Sequence, residues 1–301
     1  MRVTNSMLIN NFLRNLNHNL SRLERTQNRF STGKQISCPS DDPVGLVLGM
    51  GLRSNLAGIE QYRKNADAAA AWLENTDSAL ESATGILHRA KELAVYGAGG
   101  TMDTESIKAL SKEVAELLEE MRQVANTNFA GRYIFAGNKT LTEPFPPASA
   151  EGEYQYAGTI IEQKIEIGVN IVIPYSVTGD RAFGNFGDFE DTGMLDILAQ
   201  LKELLAGEGE GSFDDSMAHI DVALEHILSI RAEVGARTNR LELVQERLGD
   251  SYLNYTRLLS EIEDADLAET IIELKNQENI YLASLSAGAR IIQPSLLDFL
   301  R

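Results

Sequence analysis

The sequence predicts a mainly α fold: a long antiparallel helical rod built from both termini, ending in a coiled-coil domain and carrying a small β-containing insert. Three observations predict it. Apolar residues recur at three- and four-residue steps over long stretches near both ends of the chain. Proline, glycine and β-branched residues gather in one central segment, where helices are disfavoured. Two dense polar motifs, Phe30–Gly45 and Ser260–Ala268, stand near opposite ends, each flanked by a long amphipathic run.

The first helix follows from Ile9, Leu13, Leu16, Leu20, Leu23 and Phe30, which step by four and three with Gln27 in the one polar slot. Gly33, Cys38-Pro39 and Asp42-Pro43 break that pattern. Either Asp41 or Asp42 can cap the next helix, with Pro43 in its first turn, where a missing N–H costs nothing. The second helix has a seam of Ile59, Tyr62, Ala66, Ala69, Leu73, Thr76, Leu80, Ala83, Leu87, Ala90 and Ala94. Its many alanines allow close helix approach, and Gly97, Gly99 and Gly100 end it. A third helix is expected from about Thr104 to Asn128, with Ile107, Leu110, Val114, Leu117, Met121 and Val124 on one face.

After Gly131 the composition changes. Pro144, Pro146 and Pro147 forbid a helix, and Tyr154–Tyr175 reads as two or three strands, with alternation over Glu162–Ile173. Gly179, Gly184 and Gly187 mark loops, a short helix is expected around Met194–Leu205, and Gly207–Gly211 is a loop. The last and longest helix is expected to start at Asp214 or Asp215, with Met217, Ile220, Leu224, Ile227, Val234, Leu241 and Leu248 on its seam. The pattern slips near Asp266, as at a stutter or a break, and resumes through Leu267, Ile271, Leu274, Glu278, Tyr281, Leu285 and Gly288. If continuous, residues 214–287 would span on the order of 110 Å, a length that only partner helices can cover.

Composition excludes several classes. With Lys+Arg 27 against Asp+Glu 44 the net charge is −17, which disfavours nucleic acid and anionic membrane as partners. The apolar runs fall short of the ~20 residues a spanning helix needs, so membrane insertion is not expected. Met1–Met7 has no apolar h-region, which predicts no cleavable secretory signal. A single cysteine, Cys38, rules out an intrachain disulfide framework and reads as a spectator thiol. His219 and His226 share a face but stand about 10 Å apart along it, too far for one metal. No nucleophile–base pair, phosphate loop or ligand set is present, so neither catalysis nor a cofactor is expected.

The two polar motifs carry a family resemblance. Phe30-Ser31-Thr32-Gly33-Lys34-Gln35-Ile36-Ser37-Cys38-Pro39-Ser40-Asp41-Asp42-Pro43-Val44-Gly45 resembles the bacterial flagellin pattern L-S-[ST]-G-x-x-I-x-S-x-x-D-D-x-x-G. Ser260-Glu261-Ile262-Glu263-Asp264-Ala265-Asp266-Leu267-Ala268 resembles the flagellin C-terminal S-x-I-E-D-A-D-x-A. Trp72–Leu80 and Arg89–Val95 are similar to the family's rod-domain helix. Arg89 and Leu93 align with flagellin positions that an innate immune receptor reads, and ordinary rod-face residues are the plainer reading. Two segments are similar to the family's hook–filament junction members more than to its filament subunits. One is the start Met1-Arg2-Val3-Thr4-Asn5-Ser6-Met7-Leu8, and the other is Gly131-Arg132-Tyr133-Ile134-Phe135-Ala136-Gly137-Asn138-Lys139-Thr140 with Pro144-Phe145 beyond it. Cys38 departs from the pattern, and past Ala268 only the apolar spacing matches.

The resemblance implies a non-enzymatic adaptor of the bacterial flagellum, extracellular, exported through the flagellar type III apparatus with an export chaperone and without cleavage. It implies self-assembly in a ring between hook-associated protein 1 and flagellin. The alternatives are a short flagellin and, from another class, a coiled-coil type III secretion translocator. The implied domains are a terminal coiled coil (1–42 with 261–301), a rod (43–139 with 194–260) and an outer β-containing domain (140–193). The residues expected to serve assembly are Ile9, Leu13, Leu16, Leu20, Leu23, Phe30, Ile271, Leu274 and Leu285 as apolar stripes, with Asp41 and Asp42 beside them. Asp264 and Asp266 are expected to pair with arginine or lysine of a neighbour.

Overall fold

A computed structural model describes residues 5–99, 103–147, 154–184, 193–207 and 211–292. Among these residues, seven helices and four short strands follow in the order α1 (Asn5–Thr32), α2 (Pro43–Ala98), α3 (Thr104–Ala125), β1 (Asn128–Phe129), β2 (Arg132–Tyr133), β3 (Lys164–Gly168), β4 (Ile171–Pro174), α4 (Gly179–Phe183), α5 (Met194–Ala206), α6 (Phe213–Glu263) and α7 (Leu267–Ile292). The fold is mainly helical, with long helices from the two ends of the chain packing together and a small β insert, as expected. Met1–Thr4, Gly100, Gly187 and residues 208–210 of the expected glycine-rich loop lie outside the described residues.

The residues fall into two compact units: Ile59–Asp250, and Met1–Gly58 with Ser251–Arg301. The core of the Ile59–Asp250 unit follows the expected seams. Ala66, Ala69, Leu73, Thr76, Leu80, Ala83, Leu87, Ala90 and Ala94 of α2 are fully buried. Thr76 is tolerated there because its hydroxyl donates to the Trp72 carbonyl at 2.9 Å. Val114, Leu118 and Met121 of α3, and Ile220, Ile227, Val234 and Leu241 of α6, complete the helical core; on α3 it is Leu118 that is buried, while the expected Leu117 is only half-buried. The helix α5 packs on α3 through Leu198, Leu201 and Leu205.

Several elements differ from expectation. Helix α3 stops at Ala125, three residues early, and the chain turns at once into the β1–β2 hairpin. Its two turn residues, Ala130 (φ 51°) and Gly131 (φ 78°), are both left-handed, as a tight two-residue hairpin turn requires. The region expected to hold two or three strands does hold two among the described residues, β3 paired antiparallel with β4 from Lys164↔Pro174 to Gly168↔Ile171. Gly179 opens the one-turn helix α4 where only a loop was expected.

Low aromatic content predicts no large aromatic core, yet the rings are concentrated. Phe183 meets Phe135 and Phe145 edge-on, with centroids 4.9 and 5.9 Å away, and Trp72 meets Phe129 and Tyr175 edge-on. Below them, Arg237 and Arg181 share the carboxylates of Glu162 and Glu233, and Arg237 also donates to the Ser176 carbonyl at 3.1 Å. The insert is therefore tied to α6 by charge and to the helical core by rings.

Candidate assembly surface

The two polar motifs meet within the unit formed by the chain ends. Gly33, at φ 68°, closes α1 with its N–H on the Arg29 carbonyl at 2.9 Å. Lys34 then forms an antiparallel bridge with Asp264. The Gln35 N–H donates to the Glu263 carbonyl at 2.7 Å, and the Ala265 N–H donates to the Gly33 carbonyl at 2.9 Å. This crosslink ends α6 at Glu263, so the expected slip near Asp266 is a true helix break. The longest helix is thus α2, with 56 residues against 51 for α6.

Glu263 is the centre of the joint. It is 6% exposed and accepts from Lys34 Nζ at 2.9 Å and Arg53 Nη2 at 2.6 Å. Burial alone would raise its carboxyl pKa, but the bonds from Arg53 and Lys34 outweigh it and hold the group below the usual glutamate range. One carboxylate thereby fastens the end of α6 to the loop after α1 and to the start of α2. Sequence reading passed over Glu263, although it is the acidic member of its motif that is most buried.

The four aspartates have distinct local roles. Asp42, not Asp41, caps α2: its Oδ1 accepts the Val44 N–H at 3.0 Å, and Pro43 takes the first helical position. Asp41 instead orders the loop, accepting from Cys38 and Ser37 N–H, and those backbone bonds hold its pKa low. Asp264 accepts the Ser260 hydroxyl at 2.5 Å. Asp266 caps α7, with Oδ1 on the Ala268 and Glu269 N–H groups.

Helices α1 and α7 pack against each other. The covered side chains include Ile9, Phe12, Leu16, Asn19, Leu23 and Thr26 on α1 and Thr270, Leu274, Gln277, Tyr281, Ser284 and Gly288 on α7, with Arg29 and Glu278 half-buried beside them. Both sets step by three and four, as an a/d seam does. Asn19 Nδ2 donates to Ser284 Oγ at 3.0 Å, and a Cβ on Gly288 would lie 2.2 Å from the Phe12 ring. Ile9, Leu16, Leu23 and Leu274 fall on this seam. Leu13, Leu20, Phe30, Ile271 and Leu285 do not: they flank it, 37–45% exposed.

This unit therefore holds an unfinished core. Among the described residues, every fully buried aliphatic or aromatic side chain lies between Ile59 and Leu248. The buried side chains of the terminal unit are Thr26, Glu263 and Thr270. Its apolar residues face water instead, including Val44, Val47, Leu48 and Met50 at the start of α2 and Ile272, Ile280 and Leu282 on α7. Exposed apolar surface of this extent is typical of association sites.

Other chemistry is sparse. No group of three or more potential metal ligands occurs among the described residues, and none of their helices is long and apolar enough to cross a membrane. Cys38 is an exposed free thiol. His226 bonds the Arg181 carbonyl at 2.7 Å. Leu93 is buried, and Arg89 is ion-paired to Glu92 and Glu113, as ordinary helix-packing residues are.

Residues 3–140 match the bacterial flagellin N-terminal helical region, and residues 217–300 match the C-terminal helical region. The chain belongs to the flagellin family. It is a structural, non-enzymatic component of the flagellum. It is 28% identical to flagellar hook-associated protein 3 of Escherichia coli, over 95% of this chain and 96% of that one. It is also 26% identical to the flagellin of Bacillus subtilis over the full length of both. The fold is shared with a flagellar hook-associated protein from Vibrio parahaemolyticus (TM-score 0.67, 20% identity, 74% of this chain and 100% of that one). It is shared too with the junction protein FlgL from Legionella pneumophila (TM-score 0.60, 18% identity, 72% of this chain and 100% of that one).

Proposed function

We propose that this flagellin-family chain is the adaptor that joins the flagellar hook to the filament, with hook-associated protein 1 below it and flagellin above it. The observation that carries the reading is the Gly131–Phe145 segment. Its sequence resembles junction members of the family, and its side chains seat the insert. Ile134, Phe135 and Ala136 are buried, and Phe145 packs on Phe183. Gly137, at φ 61°, lies where a Cβ would stand 2.1 Å from the Thr159 carbonyl oxygen. The full-length similarity to hook-associated protein 3 supports the same reading.

The terminal unit would complete its core in a ring of copies. Leu13, Leu20, Phe30, Ile271 and Leu285 would meet neighbouring helices, while the β-containing region around 140–193 would face outward. Export would run through the flagellar type III apparatus with an export chaperone and without cleavage.

Similarity to the Bacillus subtilis flagellin favours one second reading, a short filament subunit. Seeded polymerisation separates the two. Purified chain, added to sheared filament fragments, should add no more than a short layer and should not elongate them further. Growth of the chain alone into long filaments would establish the second reading.

A further inference from the structure

Helix α1 is a basic element in an acidic chain. Arg14, His18, Arg22, Arg25 and Arg29 recur at steps of four, four, three and four, which places them along one side of the helix; the first four are exposed, away from the α7 seam, and Arg29 is half-buried. The one carboxylate of the helix is Glu24. Every other long helix carries more carboxylates than lysines and arginines. Arg14 bonds the Asn11 amide oxygen, and Arg25 and Arg29 feel the field of Asp41. None of the four guanidiniums forms an ion pair within 4.0 Å among the described residues.

On α7, Glu269 and Glu273 stand one turn apart on one exposed flank, with Asp266 a turn before them. Neither glutamate has a cationic partner among the described residues. A cationic stripe and an anionic stripe on different faces of one unit cannot satisfy each other within the chain. Between copies they can. Such unlike, complementary faces make a head-to-tail contact that closes into a ring or continues as a helix.

We propose that the arginine stripe of α1 is a docking surface for the Glu269–Glu273 face of a second copy of this chain. The proposal rests on reading the chain as a flagellar assembly subunit, and it names the charges that orient neighbours while the exposed apolar residues supply the buried area. Exposed pairs of this kind are weakened by salt.

Charge exchange tests it. Arg22→Glu with Arg25→Glu, expressed in cells lacking the native chain, should reduce the chain on isolated flagella by on the order of tenfold and leave the amount in the medium undiminished. Glu269→Arg with Glu273→Arg should do the same, and the two variants expressed together should recover incorporation. Arg22→Gln with Arg25→Gln, a milder change, should fall between and lose its salt dependence. Each purified variant is first checked for a native melting curve. Normal incorporation of either charge-reversed variant, or no recovery on mixing, would overturn the proposal. Retention of the arginine variants inside the cell would also overturn it and assign the stripe to an export partner. Incorporation is scored on whole flagella. A wild-type chain found along the filament would therefore defeat the junction reading and leave the charge exchange readable.

Discussion

Glu263 shows how much one buried carboxylate can hold. It binds Lys34 and Arg53, which are 43% and 53% exposed and can return to water if it is lost. Glu263→Gln should therefore cost about 1–2 kcal/mol at neutral pH, below the cost of stranding two buried charges. Its pKa is depressed in the folded chain, so its stabilisation is present above the unfolded value near ~4.3 and lost as pH falls through the folded value. Melting curves across this acid range should converge for wild type and Glu263→Gln. A constant gap down to full protonation would contradict the assignment. Asp266 makes a sharper contrast. Asn caps a helix as well as Asp, so Asp266→Asn should leave melting unchanged, while Asp266→Ala should cost about 1 kcal/mol. Equal losses for both would mean that the charge, not the cap, matters in the monomer. None of this was legible from residue types alone. The motif marked the acidic cluster, but only the bridge from Lys34 to Asp264 reveals which carboxylate points inward.

At the scale of elements, periodicity revealed the long helices and their seams from Ile59 to Leu248, because there each helix buries one continuous stripe. In the terminal pair it placed Ile9, Leu16 and Leu23 on the seam but put Leu13 and Leu20 there where Phe12 and Asn19 stand. On α1 the stripe expected from sequence is Ile9, Leu13, Leu16, Leu20, Leu23 and Phe30, whereas the partner helix covers Ile9, Phe12, Leu16, Asn19, Leu23 and Thr26. Both stripes step by three and four. Apolarity favours Leu13, Leu20 and Phe30, which stay exposed, over Asn19 and Thr26, which the seam contains. A helix with two sticky faces gives no signal to say which belongs to its own chain. The β1–β2 hairpin and α4 were missed because two to five residues are too short to show a period. A half-buried, partly polar seam stabilises weakly, and ordering each residue costs about 1–2 kcal/mol. Amide exchange in the monomer should therefore be fast in α1 and α7 and slow in residues 66–94 of α2. Equal protection in all three would show that the terminal pair is stable alone. The insert behaves oppositely. Phe145, Ile167, Ile173 and Phe183 are buried with the helices, so replacing 140–193 by a short linker should lower the melting temperature of the remainder. An unchanged melting temperature would show that the helical core closes without it.

At the scale of the whole molecule, one unit has a complete core and the other exposes the apolar surface that a neighbour would cover. The paired motifs made the family legible, because both ends of the chain carry its pattern. The junction reading is drawn from the Gly131–Phe145 segment and the full-length similarity to hook-associated protein 3. The direct test is electron microscopy of cells lacking only this chain. We predict complete hooks without filaments, monomeric flagellin in the medium, and restoration of filaments by the wild-type gene. Full-length filaments on the deletion strain would contradict the junction role.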